Sequence, residues 1–315
     1  MAPPNRRLGS AAACLLIALQ PACTVGLQAR GPSKPAVVTG DDQITVASFA
    51  FSESELLAEI YAQALEAKGF AVRRAMNLGP RELVEPALQR GLIEFVPEYL
   101  GTALEFLQSG SHVTSADLET SRQRFIEALQ TKGVDVLASA PAEDANALAV
   151  TAQTAAKFGL KVISDLITVA PQFVLGGPPE CPSRPLCLPG LKSAYRLQFR
   201  AFKPLDVSGP VTAAELAAGQ VDVAVLFATD GDIPARGFIV LEDDQRLQPA
   251  ENVTPVVRRE VVARYGRRFT DVVDAVSAEL TTEVLRGLNR LMSVRPTTPA
   301  QIAGEWLRSK GLVGS

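Results

Sequence analysis

The sequence predicts an α/β layered fold, and three features carry that expectation. A β–α–β grammar opens the chain: Ile44–Ala47 reads as a strand, an amphipathic helix follows, and Phe70–Ala75 returns as a strand. Val221–Phe227 is nearly all apolar and rich in β-branched residues, the pattern of a strand covered on both faces. Glycines punctuate the helical runs at Gly69, Gly91, Gly133 and Gly219, where a left-handed residue ends a helix at little steric cost.

The elements follow in order. Ser52-Glu-Ser-Glu55 has the spacing of a capping box, and Leu56, Leu57, Ile60, Tyr61, Ala64 and Leu65 fall on one helical face behind it. Arg81–Arg90 reads as a helix and Leu92–Val96 as the strand after it. Thr114–Lys132 is amphipathic at helical spacing, and Val134–Leu137, Ala147–Thr151 and Gln172–Gly176 read as strands. Thr212-Ala-Ala-Glu215 has the spacing of a second capping box. Ile239–Leu241 and Val253–Val257 are further strands, and 270–280, 281–292 and 299–310 are helices.

The chain has 315 residues, of which 47% are hydrophobic and 21% charged, enough to bury a core and inconsistent with a disordered polymer. Its net charge of −3 argues against a nucleic-acid binder, which needs a basic face to neutralise phosphates. The first 30 residues differ from the rest. Arg6-Arg7 precedes an uncharged run from Leu8 to Leu19, roughly 18 Å long as a helix and too short for a bilayer core of roughly 30 Å. Residues 1–30 are therefore expected to be an export signal with a lipoprotein-like end. Cys23 is the expected acylation site, with simple cleavage as the alternative. Residues 31–43 read as a tether. Export implies an oxidising compartment, where Cys181 and Cys187 can close a small disulfide loop; two cysteines and a single histidine, His112, give too few ligands for a metal site. Neither a cofactor nor a metal is expected.

Two segments echo each other. Leu88-Gln-Arg-Gly91 runs through a strand to Pro97-Glu98-Tyr99, and Leu216-Ala-Ala-Gly219 runs through a strand to Ala228-Thr229-Asp230. In open α/β sheets, ligands bind outside the carboxyl ends of strands, so two such ends in two lobes can face one ligand. The same pattern also fits two ordinary helix–strand units.

The block Phe49-Ala-Phe51-Ser52-Glu53-Ser54-Glu55-Leu56-Leu57, the tripeptide Asn77-Leu78-Gly79, and Pro97-Glu98-Tyr99-Leu-Gly101-Thr102 resemble the glycine betaine, choline and osmoprotectant binding proteins of bacterial ABC importers. Leu241-Glu-Asp-Asp244, Pro255-Val-Val-Arg258 and Leu280-Thr-Thr-Glu283 continue the likeness in the same order, so that it covers residues 44–313. The resemblance implies a type II periplasmic-binding-protein fold: two α/β lobes with a ligand cleft between them, residues 44–147 and 245–315 forming lobe I and 148–244 lobe II. It implies a binding protein that is not an enzyme, captures a small osmoprotectant or quaternary amine, and delivers it to a membrane permease. It further implies a monomer outside the cytoplasm, anchored to the outer face of the cytoplasmic membrane if Cys23 is acylated and otherwise periplasmic or secreted.

A quaternary ammonium has no donor protons, and aromatic faces hold it at about 0.5–2 kcal/mol per contact. By resemblance, Tyr99 is a cage tyrosine and Thr102 a polar contact. Phe227 stands where the family often has tyrosine, Asn146 and Glu251 replace two more, and Ser54 stands where a glutamine often contributes. Phe49 and Phe51 are helpers. Asp144 or Glu251 adds negative potential, and Asp230 faces the ligand from the second strand end. So depleted a cage leaves two ligand classes open: a quaternary amine, or a hydrogen-bonding solute such as a polyol, a sugar-like compound or a primary amine. A sensory module reusing the fold is a further alternative. No Gly-x-Ser-x-Gly elbow, Walker loop or dinucleotide fingerprint nominates catalytic residues.

Overall fold

The computed structural model describes residues 43–108 and 117–314. The expected export segment, Cys23, nearly all of the tether, and His112 lie outside the described residues. Among the described residues, no helix is long and apolar enough to cross a membrane.

The elements run β1 (Ile44–Ala47), α1 (Ser52–Ala67), β2 (Val72–Ala75), α2 (Arg81–Gln89), β3 (Phe95–Tyr99), α3 (Leu100–Leu107), α4 (Leu118–Gln130), β4 (Val134–Val136), β5 (Asn146–Thr151), α5 (Ala152–Phe158), β6 (Val174–Gly177) and α6 (Leu188–Tyr195). They continue with β7 (Ala201–Pro204), α7 (Pro210–Ala217), β8 (Val223–Phe227), α8 (Asp232–Arg236), β9 (Phe238–Leu241), β10 (Val253–Arg258), α9 (Arg259–Tyr265), α10 (Arg267–Glu279), α11 (Thr282–Val294) and α12 (Pro299–Ser309).

Two five-stranded mixed sheets result, ordered β2-β1-β3-β10-β4 and β7-β6-β8-β5-β9. In each, the central strand pairs in parallel on one side and antiparallel on the other: β3 with β1 and β10, β8 with β6 and β5. Each sheet has its own core. Around the first, Leu56, Ile60, Phe95, Val256, Phe269 and Leu307 are buried together. The second has a cluster on each face, Leu148, Leu175 and Val225 on one and Ala149, Ala224 and Leu226 on the other. That two-sided covering is why β8 has no polar face: all its side chains but Phe227 are buried.

The chain passes between the sheets twice, near residues 143–145 and 249–252, and the two stretches run side by side. The Asp144 amide donates to the Glu251 carbonyl at 3.0 Å, and Glu143 and Asn252 form an antiparallel bridge. The boundary expected after residue 147 falls inside β5. Leu247 and Gln248, expected with the first lobe, pack with the second: Leu247 lies against its core and Gln248 Nε2 donates to the Leu186 carbonyl.

Several local readings are corrected. The residue before α1 is Phe51, which supplies no side-chain cap, and Glu55 accepts instead from Asn77 Nδ2. Thr212 sits inside α7, where its hydroxyl and amide both bond Asp206. The strand expected over 92–96 begins three residues later and ends on Tyr99. It runs without a loop into α3, whose start packs so closely on the second crossing that a Cβ on Gly101 would lie 2.2 Å from Pro249 Cγ and 2.8 Å from the Ala250 carbonyl oxygen. Only glycine fits there.

Candidate functional site

Tyr99 and Phe227 end the central strands of the two sheets, and both line one cleft of about 390 Å³ between the lobes. Phe51 bridges them, with its ring centroid 5.8 Å from Tyr99 and 5.4 Å from Phe227; Phe49 stacks behind it at 6.2 Å. The β1–α1 connection presents these two phenylalanines and is pinned from three sides. The Ser54 hydroxyl accepts from the Phe49 amide at 2.9 Å, Ala50 N donates to the Gly79 carbonyl at 3.1 Å, and the Ser48 hydroxyl accepts from the Asn77 amide at 2.8 Å.

Asp144, Asn146, Thr102 and Glu251 also line the cleft. The Asn146 amide group donates to Gln248 Oε1 at 3.1 Å. Glu251 is buried and accepts from the backbone amides of Gly101 (3.1 Å) and Thr102 (2.8 Å), so it caps α3 from 150 positions away. Two expected site residues are placed elsewhere. Ser54 is fully buried beneath the Phe49 turn and does not line the cleft. Asp230 faces a smaller neighbouring cavity of about 200 Å³, where it accepts from the Ser208 hydroxyl at 2.8 Å. Phe51, Val207 and Phe227 line both cavities and so stand between them.

Four charged residues at the site went unread in the sequence. Arg81, at the start of α2, makes a buried bidentate ion pair with Glu98 (2.9–3.3 Å) and lies over the Phe49 ring at 5.3 Å. Arg184 comes from the loop closed by the Cys181–Cys187 disulfide. It reaches across the cleft mouth to Glu82 at 2.9 Å, while its Nε is buried without a hydrogen-bond partner. Burial and the nearby Arg81 guanidinium both disfavour its charge. Glu53, in the first turn of α1, receives the Tyr99 hydroxyl at 2.9 Å and also bonds Thr229 and Asn289. One signal was present: Glu98 is a charge inside a strand otherwise fit for burial, and a buried charge demands a partner.

Burial governs the acids here. It pushes Glu251 up to about 8, against the opposing pull of Arg81 and the α3 amides, and, with the charge of Glu98 adding, pushes Glu85 up to about 7. Both titrate near 4.5 when unperturbed. Between those values the folded chain binds more protons than the unfolded chain, so stability rises as pH falls through this window and is lost as pH rises toward 7 to 8. Each group contributes up to about 1.4 kcal/mol per pH unit. Thermal unfolding of the ligand-free protein is therefore expected at a higher midpoint near pH 6 than near pH 8.5, and Glu251→Gln with Glu85→Gln should flatten the profile. A midpoint that climbs with pH over that range would contradict this.

Among the described residues, no group of three or more His, Cys, Asp or Glu side chains is placed to hold a metal ion. The arrangement can surround a compact solute with aromatic faces and offer it acidic and amide groups.

Comparison with known proteins agrees with this geometry. An ergothioneine transport permease/ergothioneine binding protein of Helicobacter pylori (strain G27) is 26% identical over 85% of this chain, which spans 48%, about half, of that protein. A glycine betaine-binding protein, YehZ, of Escherichia coli (strain K12) is 27% identical over 85% of this chain and 90% of its own length. The crystal structure of a glycine betaine/carnitine/choline ABC transporter protein superposes with a TM-score of 0.70 at 22% identity, covering 85% of this chain and 99% of that one. The two-lobed α/β architecture is thus that of the type II periplasmic binding proteins. The model of the OpuAC family, the substrate-binding domain of ABC-type glycine betaine transport systems, matches residues 42–309. With nearly the whole described chain matched, and a cleft where that architecture puts one, this protein belongs to the OpuAC family of ABC-transporter substrate-binding domains.

Proposed function

We propose that this protein captures a quaternary ammonium solute in the cleft between its lobes and hands it, unaltered, to a membrane permease. The observation that carries the reading is the convergence of Phe51, Tyr99 and Phe227 with centroid spacings of 5.4 and 5.8 Å, from both lobes, on one cleft. Rings so placed present π faces to a cation that cannot hydrogen-bond. Asn146 and Glu251 stand where further rings are expected, and Asp144 and Glu251 line the cleft beside the three rings. The Arg184 guanidinium, which lines the same cleft, supports a ligand that also bears an acceptor such as a carboxylate, as the betaine, carnitine and ergothioneine of the relatives do. We place the protein outside the cytoplasm as a monomer, anchored through an acylated Cys23, and acting by binding rather than turnover.

Titration of the mature protein with glycine betaine, carnitine, choline, ectoine and neutral polyols tests the reading, with thermal shift as a second readout because ligand binding selects the native state. The ammonium solutes are expected to bind, and Tyr99→Ala to weaken them about tenfold, close to the loss of one cation–π contact. Binding of the polyols alone would favour the hydrogen-bonding alternative, and silence across the panel would refute the substrate class.

A further inference from the structure

Where the cleft, lined by Asp144, adjoins the smaller cavity, lined by Glu53 and Thr229, one hydroxyl serves two acids. Thr229 Oγ1 lies within hydrogen-bond reach of Glu53 Oε2 and, at 2.6 Å, of Asp144 Oδ1. It has a single proton to donate. If both carboxyl groups were ionised, one of these contacts would set oxygen lone pairs against each other. The remaining donors are fixed: the Tyr99 hydroxyl goes to Glu53 Oε1, Asn289 Nδ2 to Glu53 Oε2, and the Thr229 amide to Asp144 Oδ1 at 3.1 Å. Both acids are 5% exposed.

Among the described residues neither carboxyl group is within ion-pair distance of an arginine or lysine. Arg286 on α11 donates to the Ala228 carbonyl, and Arg81 is held by Glu98. The other titratable groups facing the pair are acids or a phenol: Glu98 and Tyr99 on β3, Asp230 and Asp232 after β8 (the latter with Arg236), and Glu251 on the second crossing. Two buried carboxyl groups in contact, with no ion pair to either, favour keeping a proton between them. Burial and the charge of Glu53 accordingly push the Asp144 carboxyl upward. Asp144 lines the same cleft as Phe51, Tyr99 and Phe227.

We propose that Asp144 keeps a proton in the ligand-free protein, held in the hydrogen-bonded cluster with Thr229 and Glu53, and that a cationic ligand entering the aromatic cleft displaces it to solvent. The positive charge of the ligand replaces that of the proton, so capture and deprotonation form one equilibrium. This inference rests on the cationic-ligand reading above and assigns the site a selection rule: a cation gains a carboxylate on entry, and a neutral solute does not.

Calorimetric titration in two buffers of different ionisation enthalpy counts protons released per ligand. Choline and glycine betaine serve as probes, since neither titrates between about pH 5.5 and 8.5. The expected result is release of close to one proton, with Kd falling up to tenfold per pH unit across that range. In Asp144→Asn the release should vanish and Kd should become weak and nearly pH-independent. Probes that bind the wild type with no proton release and a flat pH profile would overturn the inference while leaving the ligand class intact. Release that survives Asp144→Asn but vanishes in Glu251→Gln would overturn it by assigning the proton to Glu251. No binding of either probe at pH 8.5 would overturn the ligand class, and the inference with it.

Discussion

Replacing Glu98 with glutamine is expected to cost about 3–5 kcal/mol of folding stability, because it strands a buried guanidinium without its counter-charge. Arg81 is 8% exposed and Glu98 1% exposed, and the guanidinium bonds both carboxylate oxygens. Glu98 also receives the Tyr99 amide at 2.9 Å, so the same carboxylate fixes the strand end that carries a cleft ring. Arg81 cannot shed its proton to relieve the deficit, since a guanidinium stays charged near neutral pH. Urea denaturation of Glu98→Gln measures the cost. A control separates pair breaking from packing: Arg81→Met with Glu98→Leu should be much less destabilised than Glu98→Gln alone, because replacing both charges leaves neither one stranded. A loss below about 1 kcal/mol in Glu98→Gln would mean that water reaches the pair and that β3 is held by its ladder alone.

Sequence was most informative where the determinant is local. The apolar β8 and the glycines after α1 and α2 each act within a few residues of themselves, and the strand–helix order follows from them. The ring pair Tyr99 and Phe227 was also legible, because both follow the same helix, glycine, strand pattern and so finish at corresponding strand ends. The failures share a different cause: a distant partner took over a group that looked locally committed. The start of α3 carries no capping signal, since its free amides are received by Glu251, and so a helix running straight out of a strand went unseen. Ser54 looked like a ligand contact but is consumed by the Phe49 amide. Glu53 carries no local signal of its role, since its partners come from β3, the end of β8 and α11. Arg184 sat in a loop whose only local signal was the cysteine spacing, and that spacing says nothing of what the loop covers.

Truncating Phe51 to alanine is expected to weaken binding of a quaternary ammonium by about a hundredfold, about 2.7 kcal/mol, more than the loss of Tyr99. Tyr99 is anchored independently, through its hydroxyl to Glu53, and Phe227 through the β8 ladder. Phe51 is anchored to neither lobe's ladder, yet it touches all three other rings and alone spans the gap between the lobes' aromatics. Its removal deletes one π face, and it also opens the partition to the smaller cavity, admitting water to a site where exclusion of water strengthens every charge–quadrupole contact. Because the ring is only half-buried, the accompanying loss of stability should stay below the range of about 3–5 kcal/mol found for fully buried phenylalanines. Calorimetry on a variant whose thermal unfolding remains cooperative reads the binding loss alone. Phe51→Leu, which restores bulk without a π face, separates the two contributions: recovery of wild-type affinity would show that the residue only fills space, whereas a persistent loss of tenfold or more would assign the remainder to the ring.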